Sequence, residues 1–277
     1  MRGWRSAGLW VGAFIVGFTL LVAIFAPMLS AHDPFAQELS RRLIPPIWME
    51  GGKPEHWLGT DQLGRDYLAR LVYGARISML IGIMTVVTSG LIGISLGVAG
   101  GFFGGRIDDV ILFIITARLS IPLILVALAV VSLVGSSLTV VVATLGLLLW
   151  ERFAVVARVA TMQVRNLDYV AAAWSAGCSQ PYIVMREILP NILSPVIVVA
   201  TFRMAHIIIA EASLSFLGLG VQPPTASWGS MVADGRAFLL DAWWVSTFPG
   251  LAILALVLAI NVASQGLRDA FDPRLAR

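Results

Sequence analysis

The sequence predicts an all-α polytopic membrane protein with about six transmembrane helices, and two observations carry that prediction. Of the 277 residues 58% are apolar and 13% charged, with a mean hydropathy of +0.87. That balance is too apolar and too charge-poor for an ordinary soluble domain. Six apolar stretches, at roughly residues 9–29, 77–101, 108–134, 137–160, 191–217 and 243–265, can be laid out along the chain. Each is about as long as the ~20 residues a helix needs to cross hydrocarbon with its backbone groups satisfied internally.

The first stretch follows Arg2 and Arg5, as a secretory signal would. It is longer than a signal's apolar region, and Ala26-Pro27-Met28 puts a proline where a small-residue cleavage site belongs, so it reads as an anchor. Residues 31–76 are polar and rich in turn formers, among them Pro45-Pro46, Gly51-Gly52 and Pro54. The chain thus divides into an anchor with an outer loop (1–76) and a core (77–277). The last part of the loop, Gly64 to Arg76, mixes Arg65, Tyr67, Leu68, Leu71 and Val72 at a spacing that suits a short interfacial helix.

Span two carries Gly93, Gly97 and Gly101 at four-residue spacing, preceded by Ser89. Such a row lets another helix approach closely, either within the chain or across a subunit interface. The glycine-rich run from Gly100 to Gly105 follows no strand, so it reads as a tight turn between helices. Only Gly135-Ser136-Ser137 separates spans three and four, which forces an antiparallel hairpin, and Pro122 should kink span three.

After span four comes a polar loop at about 161–190. Asp168 suits an N-cap, Ala172 and Ala173 favour helix, and Gly177 suits a left-handed C-terminal cap. Ser179 with Pro181 can start a second short helix, which runs through Arg186 until Pro190 limits it. The product is a helix-turn-helix whose slender alanine face can enter a groove on another protein. Span five places Arg203, His206 and Glu211 within an arc of roughly 140° at ~100° per residue. Intramembrane charges are costly, so these three are candidates to line one cavity; the other reading pairs them with neighbouring helices or lets them snorkel. Trp228, Trp243 and Trp244 read as an interfacial aromatic belt, with contact to a soluble partner as the other option.

Several activities find no footing. Lys53 is the only lysine, and Gly51-Gly52-Lys53-Pro54 lacks the upstream glycine and the Ser/Thr of a phosphate loop. His32, His56 and His206 lie far apart in sequence and no H-E-x-x-H run occurs, so neither a metal site nor zinc chemistry is expected. There is no G-x-S-x-G elbow. Cys178 is the single cysteine, so no intrachain disulfide can form. The net charge of +3 is scattered over span ends rather than gathered on a face that would suit nucleic acid.

Ala172-Ala173, Gly177 and Leu189-Pro190-Asn191 resemble the "EAA" signature of ABC importer permeases. The wider chain is similar to the second-permease type of the dipeptide, oligopeptide and nickel subfamily. The resemblance runs in order through Gly59-Thr60-Asp61, Gly64-Arg65-Asp66, Leu119-Ser120-Ile121-Pro122, Leu214 to Gly220, Ser227-Trp228-Gly229, Pro249-Gly250 and Asp272-Pro273-Arg274. Departures are Ala171 in place of the signature's glutamate, Phe113 and Thr116 where Arg and Asp are usual, and Gln265 where Asp is usual.

The resemblance implies a type I importer fold in a bacterial cytoplasmic (inner) membrane. In it, Asp168, Ala172, Ala173, Gly177, Arg186, Leu189 and Pro190 form a coupling element that docks on an ATPase. The implied partners are a paralogous permease, two cytoplasmic ATPase subunits and an extracytoplasmic binding protein, with ATP and Mg on the ATPases and no cofactor or catalytic residue in this chain. Di- or oligopeptides are the expected cargo, with nickel chelates or other small solutes as alternatives within the family. An odd-even count over six spans with this loop cytoplasmic puts both termini inside, and basic residues then divide nine inside to seven outside. The rival readings are a channel or ion-gradient transporter using His206 and Glu211 as a proton relay, and a membrane scaffold without flux.

Overall fold

A computed structural model describes the backbone of residues 2–271 and the side chains of residues 8–270. Asp272-Pro273-Arg274, and the Arg274 and Arg277 of the charge count, lie outside the described residues. The helices of eight residues or more are α1 (Arg2–Ile24), α2 (Tyr67–Phe103), α3 (Gly105–Leu119), α4 (Leu123–Val134), α5 (Leu138–Leu148), α6 (Glu151–Val164), α7 (Asp168–Ser175), α8 (Gln180–Phe216), α9 (Trp228–Gly235) and α10 (Trp244–Phe271). Apart from one isolated bridge between Thr60 and Asp66, the described residues hold no β-structure.

Four apolar helical segments of the described residues are long enough to cross a membrane: Tyr67–Phe103, Leu138–Val164 (α5 and α6 together), Gln180–Phe216 and Trp244–Ala270. The apolar part of α1, Gly8–Ile24, is shorter. The third expected span is α3 and α4, bent by 82°. A kink within one helix was expected there; the chain instead breaks. Pro122 lacks an N–H and disfavours helical geometry in the residue before it, so α3 ends at Leu119 and Pro122 itself becomes the N-cap of α4. Arg118 Nη1 donates to the freed Ile121 carbonyl at 3.0 Å.

Side-chain contacts show which helix ends lie together. Arg165 Nη1 donates to the carbonyls of Gly101 (2.7 Å) and Phe102 (3.2 Å), and Arg158 binds Asp108. The end of α2, the start of α3, the end of α6 and the polar loop therefore share one end of the bundle. Ser136 Oγ donates to Gly220, Trp244 Nε1 to Thr60, and the Tyr67 hydroxyl to Val245. The α4–α5 turn thus lies at the opposite end, with residues 59–67 and 217–245. The bent α3–α4 pair runs from one end to the other, as a single span must. A Cβ on Gly12 would strike the Ala259 carbonyl and one on Gly266 would strike Leu9, so α1 and α10 are antiparallel. Gly8 and Gly266 accordingly lie at the end that carries the polar loop.

The glycine row of α2 packs within the chain. A Cβ at Gly93, Gly97 or Gly101 would lie 2.4, 2.4 and 2.7 Å from the carbonyl oxygens of Trp150, Ala154 and Arg158. The interior of the row is filled by α6 and the residue before it, which is why no side chain fits at these positions. Large apolar side chains point outward elsewhere, among them Phe14, Phe113, Leu125 and Leu133, as expected where the solvent is lipid or a partner helix.

Two further expectations are revised. Residues 67–76 are not a separate interfacial helix: α2 begins at Tyr67, capped by Asp66 through the Ala69 N–H at 2.8 Å, and Tyr67, Ala69 and Arg70 are buried. Its apolar residues are covered by α9, α10 and the outer loop instead of lipid headgroups. The aromatic belt is largely a core: Trp228 and Trp244 are 5% and 3% exposed and pack with Met79, Met231 and Leu256, leaving Trp243 at the surface.

Candidate functional site

The polar loop is rigidly mounted. Val170, Ile183, Ile188 and Ile192 are fully buried in one cluster with Val98, Phe153 and Ala157 of the bundle. The Trp174 ring stacks on Phe102 at 6.0 Å between centroids. Arg165 occupies the C-terminal carbonyls of α2, where a cation also complements the helix dipole.

Asp168 is the first residue of α7, not its N-cap; Leu167 takes the cap position and no side chain caps the helix. As the first helical residue, Asp168 still places negative charge at the positive end of the dipole. At the other end Gly177 has φ +78°, its N–H bonds the Trp174 carbonyl and that of Cys178 bonds Ala173, a left-handed Schellman stop. Ala171, Ala172, Ser175, Ala176 and Gly177 are exposed, whereas Ala173 packs inward on the buried cluster.

Pro190 does not end the second helix. The chain passes through a π-helical turn, Ile183–Ile188, and continues as α8 to Phe216. A proline forbids the regular hydrogen bond and crowds the preceding turn, and the wider π turn makes the room. Asn191 Nδ2 reaches back to the Glu187 carbonyl at 2.6 Å. Arg186 and Pro190 are exposed and Leu189 half-buried on this continuous rod. The loop is therefore one short helix, a glycine stop and a direct lead into the next span.

Arg203, His206 and Glu211 are not brought to one cavity. Arg203 binds the Glu151 carboxylate and donates to the Leu149 carbonyl at 2.9 Å, where α5 and α6 are interrupted. Glu211 is 2% exposed and accepts from Ser215 Oγ (2.7 Å) and Ser227 Oγ (2.6 Å). Ser227 also caps α9 in a reciprocal box with Ser230. His206 is exposed, 3.0 Å from the Phe202 carbonyl. The arc is real, but its two charged members are absorbed by different neighbouring elements.

At the opposite end the segments Gly59-Thr60-Asp61 and Gly64-Arg65-Asp66 fold into a buried polar knot. Asp61 accepts from Arg65 Nε at 2.6 Å and lies 3.2 Å from Arg70 Nε. Gly64 has φ +73° and its missing Cβ makes room for the Glu38 carbonyl. Beside the knot is a cavity of about 390 Å³ lined by Arg70, Gly218, Gln222, Asp234 and Arg236 among others. Burial pushes the Asp234 carboxyl above the usual carboxylate range, opposed by Arg70. The pairing within this knot was not legible in the sequence, which placed Arg65 on an interfacial helix and offered the two segments otherwise only as part of a resemblance.

An apolar helical bundle that mounts a short exposed helix at one end and a buried polar platform at the other is an integral-membrane permease component. The chain belongs to the family of binding-protein-dependent transport system inner membrane components, whose family model matches residues 66–277, and is a permease subunit of an ABC importer. A second model, the N-terminal TM domain of oligopeptide transport permease C, matches residues 5–46.

Among curated relatives, the di/tripeptide transport system permease protein DppC of Pseudomonas aeruginosa is 43% identical over 93% of this chain and 86% of its own length. The dipeptide transport system permease proteins DppC of Haemophilus influenzae and Escherichia coli K12 are 39% and 42% identical, each over 98% of this chain and 92% and 90% of their own. A chain of the MetNI methionine ABC transporter, crystallised in inward-facing conformations, superposes with a TM-score of 0.58 at 16% identity. It covers 74% of this chain and 98% of that one, and so shares the fold.

Proposed function

We propose that this chain forms half of a translocation path for di- or oligopeptides and couples it to a separate ATPase through residues 168–191. The observation that carries the coupling is α7: a capped helix with an exposed small-residue face, locked onto α2, α6 and α8 by Val170, Ala173 and Trp174. Force applied to such a helix passes into the bundle without loss in a flexible linker. The partners are a paralogous permease, two ATPase subunits carrying ATP and Mg, and a binding protein seated on the opposite end. The loop and both termini face the cytoplasm of a bacterial inner membrane. The cargo assignment rests on the dipeptide and di/tripeptide names of relatives about 40% identical over most of the chain.

The test is uptake of radiolabelled dipeptide into vesicles carrying the reconstituted transporter and its binding protein. Uptake should require ATP and the binding protein and persist when ion gradients are collapsed. Gradient-driven uptake without ATP would overturn the coupling, and ATP-dependent uptake of another solute in preference to peptides would overturn the cargo.

A further inference from the structure

His32 and His56, far apart in sequence, lie together beside Asp66. Their rings are 5.3 Å apart between centroids. His56 Nδ1 is 2.8 Å and His32 Nδ1 3.7 Å from the same oxygen, Asp66 Oδ2. One potential ligand atom from each residue falls within 4.8 Å of the other two. The absence of a metal-ligand set expected from the sequence is thereby put in question.

We propose that His32, His56 and Asp66 bind a divalent transition-metal ion of the zinc class at the outer end of the bundle. Two imidazole nitrogens converge on one carboxylate oxygen. The other oxygen, Oδ1, is already committed to the Ala69 N–H. His56 and Asp66 are 5% and 6% exposed. His56 Nε2 is buried without a hydrogen-bond partner among the described residues, and its Nδ1 is turned toward the carboxylate. Mixed imidazole and carboxylate donors suit zinc, copper or nickel, whereas magnesium and calcium prefer oxygen throughout.

Ligand atoms around a tetrahedral zinc are about 3.3 Å apart, from bond lengths near 2.0–2.1 Å. The His56 to Asp66 spacing is already close to that. The remaining gap lies at His32, whose side chain is 45% exposed and free to turn inward. Three protein ligands leave a fourth position open toward water. The ion ties three separate parts of the chain: the residues just after α1, the outer loop and the N-terminus of α2. His32 lies within the stretch matched by the N-terminal domain model, and Asp66 is the first residue matched by the transport-component model. The ion therefore fastens the N-terminal unit to the core.

The test uses the whole transporter in detergent, stripped with a chelator and titrated with Zn²⁺ or Co²⁺, beside His32→Ala, His56→Ala and, as a control, His206→Ala. The wild type and His206→Ala should bind one more Zn²⁺ per chain than His32→Ala. Both should also develop the visible absorption of four-coordinate Co²⁺, and zinc should slow proteolysis within residues 31–66 at least tenfold. His32→Ala removes an exposed side chain and should fold normally while losing all three responses. Equal zinc stoichiometry and cobalt spectra in the wild type and His32→Ala would overturn the proposal, as would a wild type that takes up no zinc at micromolar concentrations. None of the three readouts involves peptide or ATP, so the result stands apart from the transport assignment.

Discussion

Glu211 is anchored by two hydroxyls, one from its own helix and one from the cap of α9. The side chain joins two elements, and what it needs is an acceptor of the right shape. Glu211→Gln keeps an acceptor for both hydroxyls, so assembly and peptide uptake should stay within about twofold of the wild type. Glu211→Leu takes the acceptor from two buried hydroxyl donors, a loss of about 1–3 kcal/mol for a buried polar group left without its partner, and should lower the melting temperature of the purified complex by several degrees. A large loss of uptake in Glu211→Gln at an unchanged melting temperature would return Glu211 to the path. Helical periodicity placed Arg203, His206 and Glu211 on one arc. It could not show that Glu151, 52 residues before Arg203, and Ser227, 16 residues after Glu211, would each claim one of the charges. Local spacing encodes direction around a helix, whereas partners come from packing between helices.

At the scale of elements, the contact between α2 and α6 is set by backbone against backbone at Gly93, Gly97 and Gly101. Gly97→Leu would push a branched side chain into the Ala154 carbonyl and the Ala157 methyl. Overpacking of this kind costs about 1–3 kcal/mol, and it should reduce the yield of assembled complex several-fold, measured by size-exclusion chromatography. Normal yield would mean that the two helices do not approach as described. The glycine row, the apolar stretches and the left-handed stop at Gly177 were legible because each is a local property of residue type and spacing. The behaviour of the prolines was not. Pro122 broke a span and Pro190 was absorbed in a π turn, and a proline looks the same in the sequence in either case. The start of α2 was misread for a similar reason, since an amphipathic spacing is the same whether its apolar face meets lipid or α9 and α10.

Across the whole molecule, the hydrogen bonds that join helix ends put the polar loop and the described parts of α1 and α10 nearest the termini at one end, with the residue 31–66 segment at the other. Lys53 and Ser175 are both exposed, at opposite ends. In intact cells an impermeant thiol reagent should label Lys53→Cys and spare Ser175→Cys, in a background where Cys178 is replaced by serine. The reverse pattern would invert the molecule in the membrane. Fold and family were visible in the sequence because hydropathy and an ordered set of short motifs run the length of the chain. The outer knot and its histidine pair were not, because they depend on a loop folding back over the ends of three helices.

The central claim is that α7 transmits the ATPase cycle by its shape. Ala172 is exposed on that helix and its replacement disturbs no buried contact and no left-handed backbone. The most direct measurement is therefore ATP-dependent peptide uptake by transporter carrying Ala172→Trp, compared with the wild type at equal amounts of membrane-inserted permease. Uptake should fall at least tenfold with the permease still folded and inserted. Uptake at the wild-type rate would contradict it.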